Sequence, residues 1–233
     1  MKRITIILFA LALVLSASAQ TRKLERRPYA DQKRVHFGFS LGLNMQNLRL
    51  APIGEPDENG EIWLAEVPSF SPGFNVGLLC DLYLCPYLNL RFVPTFIFGN
   101  KTVTFKGEFT GEEKKTDVKS NYIQAPIELK YSAKRINNYR PYIMMGVAPT
   151  FDVSKKRGDL LRLKTYDTYL EIGLGCDLYF QYFKFIPELK FSFGLHDVLT
   201  RKRDDLVDPS EYKYTASIDR ASSKMVILTF YFE

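Results

Sequence analysis

Residues 169–195, YLEIGLGCDLYFQYFKFIPELKFSFGL, alternate between apolar side chains and polar or small ones along two arms of the chain. Successive side chains of a β-strand point to opposite faces of the sheet, so this period of two predicts a pair of strands. One face of each strand is almost wholly apolar. The other face carries glycine together with ionised side chains, which are stable away from water only when they are paired.

A two-residue turn at positions 181–182 makes the apolar faces of the two strands coincide. It also places Gly173 opposite Lys190 and Gly175 opposite Glu188. A glycine opposite a long charged side chain leaves room for that side chain to reach its diagonal neighbours. The register therefore predicts two diagonal ion pairs, Glu171 with Lys190 and Asp177 with Lys184.

The same two-faced pattern recurs in about eight runs along the chain. Short turns and long polar segments alternate between these runs, and the long segments cover residues 49–72, 106–119, 154–164 and 196–222. An even number of antiparallel strands with short turns on one side and long loops on the other is the layout of an outer-membrane β-barrel. The runs lie near residues 35–48, 73–85, 88–105, 120–133, 140–153, 165–180, 183–195 and 223–232.

Alternation alone does not say which face points outward, because a soluble lipocalin-like barrel has the same period with the opposite polarity. Several runs exceed ten residues, whereas soluble strands cluster near about five or six and membrane strands need about 9 to 11. The apolar faces consist largely of Phe, Leu, Ile, Met and Val, which are too bulky for the interior of an eight-stranded barrel. We therefore expect an all-β fold, an eight-stranded antiparallel transmembrane β-barrel with its apolar face in lipid. Local bulges are expected to accommodate Pro94, Pro126, Pro149 and Pro187, which fall within the runs.

The ionised side chains of the polar faces then line the lumen. Buried charges are tolerated when they are paired, so five acids and four bases predict a structural network of ion pairs in a closed lumen. The predicted lumen residues are Asp81, Arg91, Glu128, Lys130, Glu171, Asp177, Lys184, Glu188 and Lys190. Tyrosines of the short turns, Tyr87, Tyr139 and Tyr182, are expected to form an aromatic girdle at the membrane interface. We expect Ile172→Arg on the lipid face to damage the barrel and Lys190→Gln to be much milder.

Three segments divide the chain. Residues 1–19 predict a signal peptide, because Lys2 and Arg3 precede an apolar run and an A-x-A cleavage site. Residues 20–34 form a basic, periplasmic N-terminal arm, expected to be flexible and either solvated or in contact with a partner or an anionic lipid surface. Residues 35–233 form the barrel domain. We expect an outer-membrane protein with its N-terminus and short turns in the periplasm and its long loops outside the cell.

Few residues of the chain could carry out chemistry. The two histidines, His36 and His196, fall at opposite ends of the predicted barrel, and a hydrolase would need a serine such as Ser222 or Ser223 beside His196. No metal-protease, phosphate-loop or EF-hand spacing is present, and three cysteines without C-x-x-C spacing predict neither a disulfide framework nor a zinc site. The net charge of +6 is dispersed and lacks a pattern of stacking aromatic residues, which argues against nucleic acid as a partner. We expect no enzyme activity, cofactor, metal or small-molecule substrate, with an outer-membrane lipid hydrolase as the weaker alternative.

Five segments between residues 35 and 233 resemble the PorT family of Bacteroidetes outer-membrane barrels. They read FGFSLGLN, PGFNVGLLCDLYLCPYLNLRFVPTF, YIQAPIELKY, RPYIMMGVAPTF and ELKFSFGL. The resemblance implies an integral outer-membrane component required for type IX secretion, and it brings no catalytic residue with it. The leading expectation is a non-enzymatic accessory or assembly component of that secretion machine, in contact with outer-membrane lipid and other secretion proteins. The alternative is a generic small surface barrel that binds external ligands through its long loops, as an adhesin does.

Overall fold

The computed structural model describes residues 26–27, 30–54, 62–66, 71–109, 111, 113–154, 161–201 and 212–233, so the signal peptide predicted at 1–19 lies outside the described residues. The strands in these ranges are β1 Val35–Pro52, β2 Trp63–Glu66, β3 Ser71–Cys85, β4 Leu88–Phe92, β5 Thr95–Phe98, β6 Asn100–Gly107, β7 Glu113–Lys119, β8 Tyr122–Gln124, β9 Ile127–Ser132, β10 Tyr139–Asp152, β11 Tyr166–Tyr179, β12 Lys184–Gly194 and β13 Ile218–Phe232. A short helix, α1, spans Tyr212–Ala216, and one 3₁₀ turn spans Ala30–Gln32.

Eight antiparallel barrel strands form a closed ring. Six of them are the single strands β1, β3, β10, β11, β12 and β13, and the other two are built from β4 with β5 and from β8 with β9. The ring closes because β1 pairs with β13 on one side and with β3 on the other, so that Leu41 lies opposite both Phe230 and Val76. The predicted eight-stranded barrel is confirmed.

Apolar side chains cover the outside of the ring and charged side chains fill its inside. Ile143 is 62% exposed and Leu174 is 56% exposed, whereas Arg91 and Glu171 are each 0% exposed. The hairpin β11–β12 has the predicted register, with Gly173 opposite Lys190 and Gly175 opposite Glu188. This polarity is that of a membrane barrel, because a soluble barrel would hold its apolar side chains inside.

Prolines interrupt two adjacent barrel strands. Pro94 follows the end of β4, and Pro126 precedes the start of β9. Backbone hydrogen bonds hold the wall together there, since the amide of Val93 donates to Pro126 O at 3.3 Å and the amide of Ala125 donates to Pro149 O at 3.0 Å. Pro94 and Pro126, which lack a backbone amide donor, therefore lie at breaks in the strands. Pro149 and Pro187 lie inside β10 and β12.

The long segments contain structure that the sequence did not predict. We expected polar loops at 49–72 and 106–119 and a barrel strand over 88–105. Instead, β6 leaves the barrel wall and forms a small antiparallel sheet with β2 and β7, in the order β2-β6-β7. The rings of Trp63 and Phe105 pack against the ring of Tyr214 in α1, with centroids 4.9 and 5.0 Å apart. We call this unit the loop cap. Its buried core comprises Leu48, Trp63, Val103, Phe105, Val118, Leu161, Leu163, Val198, Leu199, Tyr214, Ile218 and Ala221.

Candidate functional site

The centre of the lumen holds the guanidinium group of Arg91. Its Nη1 lies 2.6 Å from Glu188 Oε2, and its Nε lies 3.3 Å from Asp81 Oδ2. The same group lies over the rings of Tyr142 and Tyr231, 5.2 and 4.9 Å from their centroids, and both tyrosine hydroxyls donate to Glu188. Two carboxylates and two aromatic faces thus compensate one fully buried cation.

Lys190 lies among three buried carboxylates. Its Nζ is 2.6 Å from Glu128 Oε1, 3.6 Å from Glu188 Oε1 and 3.7 Å from Glu171 Oε2. A Cβ on Gly173 would come within 3.1 Å of Lys190 Cγ, so a glycine there leaves space for the lysine stem. The predicted diagonal pair with Glu171 is confirmed, but the shortest contact is with Glu128, which comes from β9.

A third group extends toward the short-turn end of the barrel. Lys130 Nζ lies 2.7 Å from Asp177 Oδ1, and Lys184 Nζ lies 4.0 Å from Asp177 Oδ2, which confirms the second predicted diagonal pair. Glu233, directly after β13, contacts Lys184, and its Oε1 lies 2.7 Å from the Nδ1 of His36. Burial raises the pKa of Glu233, but the hydrogen bond with His36 and the charge of Lys184 outweigh it and lower that pKa to about 2.

All nine residues that the sequence assigns to the lumen are buried inside the barrel. They are Asp81, Arg91, Glu128, Lys130, Glu171, Asp177, Lys184, Glu188 and Lys190. Sequence reasoning missed Tyr142, Tyr231, His36 and Glu233, which complete the network. The two tyrosines lie on the polar faces of their strands and could have been found from parity, whereas the contacts of His36 depend on which distant strands meet.

The lumen residues join strands that are far apart around the ring. Arg91 comes from β4 and Glu188 from β12, while Glu128 comes from β9. An eight-stranded barrel has an interior just wide enough for side chains to fill, and these side chains occupy that space. The arrangement suits a cross-linked wall rather than a water-filled channel.

The described part of the N-terminal arm contacts the short-turn end of the barrel. The Asp31 carboxylate accepts a hydrogen bond from the Tyr179 hydroxyl and lies 3.5 Å from Arg135 Nη1 and 3.6 Å from Arg140 Nη1. The guanidinium of Arg135 lies 3.5 Å from the centroid of the Tyr179 ring. It also donates to the backbone carbonyl of Arg27 at 3.0 Å. The described part of the arm thus makes specific contacts that the sequence did not predict, because Asp31 meets cations that are distant in the chain.

The three tyrosines predicted for the girdle lie in the short turns or beside them. Tyr87 is 47% exposed, Tyr139 is 44% exposed and Tyr182 is 85% exposed. Exposed tyrosine rings at the short-turn end suit a membrane interface, where an apolar ring meets lipid and a hydroxyl meets water. Their role as a girdle stays a prediction.

The two histidines lie at opposite ends of the barrel, as expected. At the long-loop end, His196 Nδ1 lies 3.3 Å from Asp167 Oδ1. Ser223 is 2% exposed and lines a small cavity with Asp167 and Tyr169. Within the described part of the chain His196 hydrogen-bonds Asp167 and neither Ser222 nor Ser223.

Asp197 ties the last long loop to β13. Its carboxylate accepts hydrogen bonds from the backbone amides of Leu199 at 3.2 Å and Ala221 at 3.0 Å, and it forms an ion pair with Arg201 at 2.9 Å. Burial raises its pKa, but these hydrogen bonds and the neighbouring cation outweigh that effect, so the pKa lies below the ordinary value. Asp197 therefore balances the positive charge of Arg201.

The described residues contain no group of three or more His, Cys, Asp or Glu side chains placed to hold a metal ion. None of the helices in those ranges has the length and apolar character required to cross a membrane.

The chain is similar to several solved outer-membrane proteins. Among solved structures, OprG from Pseudomonas aeruginosa is 14% identical with a TM-score of 0.40, over 85% of this chain and 90% of that one. Ail of Yersinia pestis, solved with the heparin analogue sucrose octasulfate, is 12% identical with a TM-score of 0.37, over 86% of this chain and 99% of that one. AlkL, solved in lipid bilayers, is 12% identical with a TM-score of 0.36, over 92% of this chain and 94% of that one.

No curated protein matches the sequence. A family model described as the outer membrane protein beta-barrel domain matches residues 18–200, which is more than half of the chain. The chain therefore belongs to this family of outer-membrane β-barrels.

Proposed function

We propose that this outer-membrane barrel is a non-enzymatic accessory or assembly component of a protein secretion machine, the type IX system that its PorT-like segments imply. The observation that carries the proposal is the filled lumen. Arg91, Lys190 and Lys130 each pair with carboxylates across the interior. A polypeptide has no route through such a barrel, so its contribution to secretion must come from its surfaces.

The contacts of Asp31 with the short-turn end support a scaffold role. Asp31 anchors the arm beside Arg135 and Arg140, and the sequence that precedes it, TRKLERR at 21–27, is strongly basic. With the short turns in the periplasm, the usual arrangement for such barrels, this basic segment starts from a defined point on the periplasmic rim. It would contact other secretion proteins there, while the outer wall contacts outer-membrane lipid.

The alternative is a surface barrel that binds external ligands. The observation in its favour is the loop cap, where Trp63, Phe105 and Tyr214 form a buried core outside the membrane wall. A packed core gives the long loops a fixed shape, as a recognition surface requires.

The lipid-hydrolase alternative has less support. A nucleophilic serine needs a base within hydrogen-bond reach, and the described contacts of His196 lead to Asp167 instead. Ser222→Ala and Ser223→Ala separately test this alternative, because loss of a lipase activity in either variant would favour it over the scaffold.

Deletion of the gene separates the two main candidates. We expect unprocessed cargo to accumulate in the periplasm, whereas normal secretion with altered adhesion would favour the surface-binding alternative. Complementation with a chain that keeps residues 1–19 but lacks 20–30 should restore the barrel without restoring secretion. Heat-modifiable gel migration verifies that the shortened barrel folds.

Crosslinking and mass spectrometry from native membranes identify the partner. We expect crosslinks from the arm to another secretion protein, and we expect Asp31→Asn to weaken them because the arm loses its anchor. Asp219→Asn, an exposed carboxylate at the long-loop end, is the matched control. An unchanged crosslink pattern in Asp31→Asn would contradict the role of the arm.

A further inference from the structure

Three cations form a row on the outer wall of β1 and β13 at the long-loop end. In the β1–β13 register Lys224 lies opposite Asn47 and Arg220 lies opposite Ala51, and Arg49 lies between those two levels. All three cationic side chains are exposed. At about 3.4 Å per residue, the row extends about 14 Å along the wall. We call Arg49, Arg220 and Lys224 the cationic stripe.

The cationic stripe begins where the apolar belt ends. On the same outward face, Leu43 lies opposite Leu228, and Met45 lies opposite Val226. Leu43 is 60% exposed and Met45 is 51% exposed, as lipid-facing side chains are. Because strand side chains alternate, the next outward position on β13 after Val226 is Lys224. The stripe therefore lies at the level of lipid headgroups, where long cationic side chains extend from the hydrocarbon edge toward water.

The cationic stripe has no internal compensation. None of its three side chains forms an ion pair or a hydrogen bond with another residue in the part of the chain that the structure describes. Asp219 is adjacent to Arg220 in sequence and is exposed, but the two side chains make no ion pair. The neighbouring cation Arg201 is different, because Asp197 pairs with it at 2.9 Å. The stripe is thus a positively charged surface that is available to an external anion.

We propose that the cationic stripe binds the phosphate groups of an anionic lipid headgroup in the outer leaflet, of the class of a phosphorylated glycolipid such as lipid A. The proposal rests on the long loops facing the cell exterior, the usual arrangement of outer-membrane barrels. Two arginines supply planar donor groups that match phosphate oxygens, and a lysine adds a third charge next to the hydrocarbon. A headgroup at this level keeps its acyl chains along the apolar belt, whereas a free phosphate ion would lack that second contact.

The test compares the full-length protein with two triple variants that lose the same charge. One is Arg49→Gln with Arg220→Gln and Lys224→Gln. The matched control is Lys33→Gln with Lys115→Gln and Lys134→Gln, three exposed cations away from the cationic stripe. Immobilised protein is incubated with detergent micelles that contain bisphosphorylated lipid A, and the retained lipid is quantified by mass spectrometry. Heat-modifiable migration verifies that both variants form barrels.

We expect binding to fall about fivefold for each cation removed from the cationic stripe, because each basic group near an anionic lipid surface contributes about 1 kcal/mol. The control variant should bind as the unmodified protein does, and high salt should weaken binding. Micelles with dephosphorylated lipid A should not be retained.

Three outcomes would overturn the proposal. Equal retention by the stripe variant and the unmodified protein would show that these cations do not hold the lipid. Displacement of lipid A by excess inorganic phosphate, but not by sodium chloride of the same ionic strength, would assign the cationic stripe to the free ion. Loss of a co-purifying acidic protein from the stripe variant, with lipid A still bound, would assign this face to a protein partner.

Discussion

Lys190→Gln tests the lumen network most directly. In the described part of the barrel, Lys190 is the cation paired with both Glu128 and Glu171, which are each 0% exposed. Glu188 keeps Arg91 after the substitution, but the other two carboxylates lose their counter-ion. Breaking a buried pair by removal of one partner costs about 3–5 kcal/mol. These buried contacts therefore predict a larger loss of stability than the mild effect expected from the sequence.

The assay is urea unfolding of the refolded barrel in detergent micelles, with heat-modifiable gel migration as a second readout. We expect Lys190→Gln to lower the free energy of unfolding by about 3–5 kcal/mol. Adding Glu128→Gln should recover part of that loss, because the second substitution removes the carboxylate that was left unpaired. Lys134→Gln, an exposed lysine in a short turn, should change stability by no more than about 0.5 kcal/mol.

Two results would refute this reasoning. A loss below about 1 kcal/mol for Lys190→Gln would mean that water or rearranged neighbours compensate Glu128 and Glu171 without a cation. A double variant that is less stable than Lys190→Gln alone would mean that Glu128 stabilises the barrel through contacts other than its pair with Lys190.

Further predictions address the outer wall, the short-turn end and the loop cap. Ile172→Arg places a charge at a position on the lipid face, where the native side chain is 49% exposed. It should lower the free energy of unfolding by about 2–4 kcal/mol at mid-membrane, with Ile172→Leu as the control. An unchanged outer-membrane yield and unchanged urea unfolding would contradict the assigned face. Glu233→Gln should lower the free energy of unfolding at neutral pH. The pKa of Glu233 falls from the ordinary 4.5 to about 2 in the folded protein, so its charge stabilises the fold above pH 4.5. This stabilisation is lost as the pH falls toward 2. Urea unfolding across that range checks this, and a constant difference between variant and unmodified protein would count against it. Trp63→Ala removes a ring that is 4% exposed in the loop cap and should cost the cap about 3–5 kcal/mol. Limited proteolysis should then cut the long segments faster while the barrel still shows heat-modifiable migration, and simultaneous loss of the barrel would show that the two are not separable.

The sequence predicted features that depend on local alternation. In 169–195, parity assigned each side chain to a face, and the turn at 181–182 fixed the register of Gly173 with Lys190. This works because strand side chains alternate strictly, so a shift of one residue would reverse both faces. The run lengths and the bulk of the apolar faces then decided which face meets lipid.

Tertiary structure decided the contacts between strands that are distant in sequence. The carboxylate nearest to Lys190 is that of Glu128, and no spacing in the sequence indicates this pair. The contacts of Asp31 with Arg135 and Tyr179 could not be read from the sequence either. The core around Trp63 was also missed, because part of it comes from the long polar segments, while Val103 and Phe105 belong to a run that the sequence assigned to the barrel wall. Alternation defines the two faces of each strand, but closure of the ring brings together strands that are not neighbours in the sequence, and it thereby selects the ion pairs.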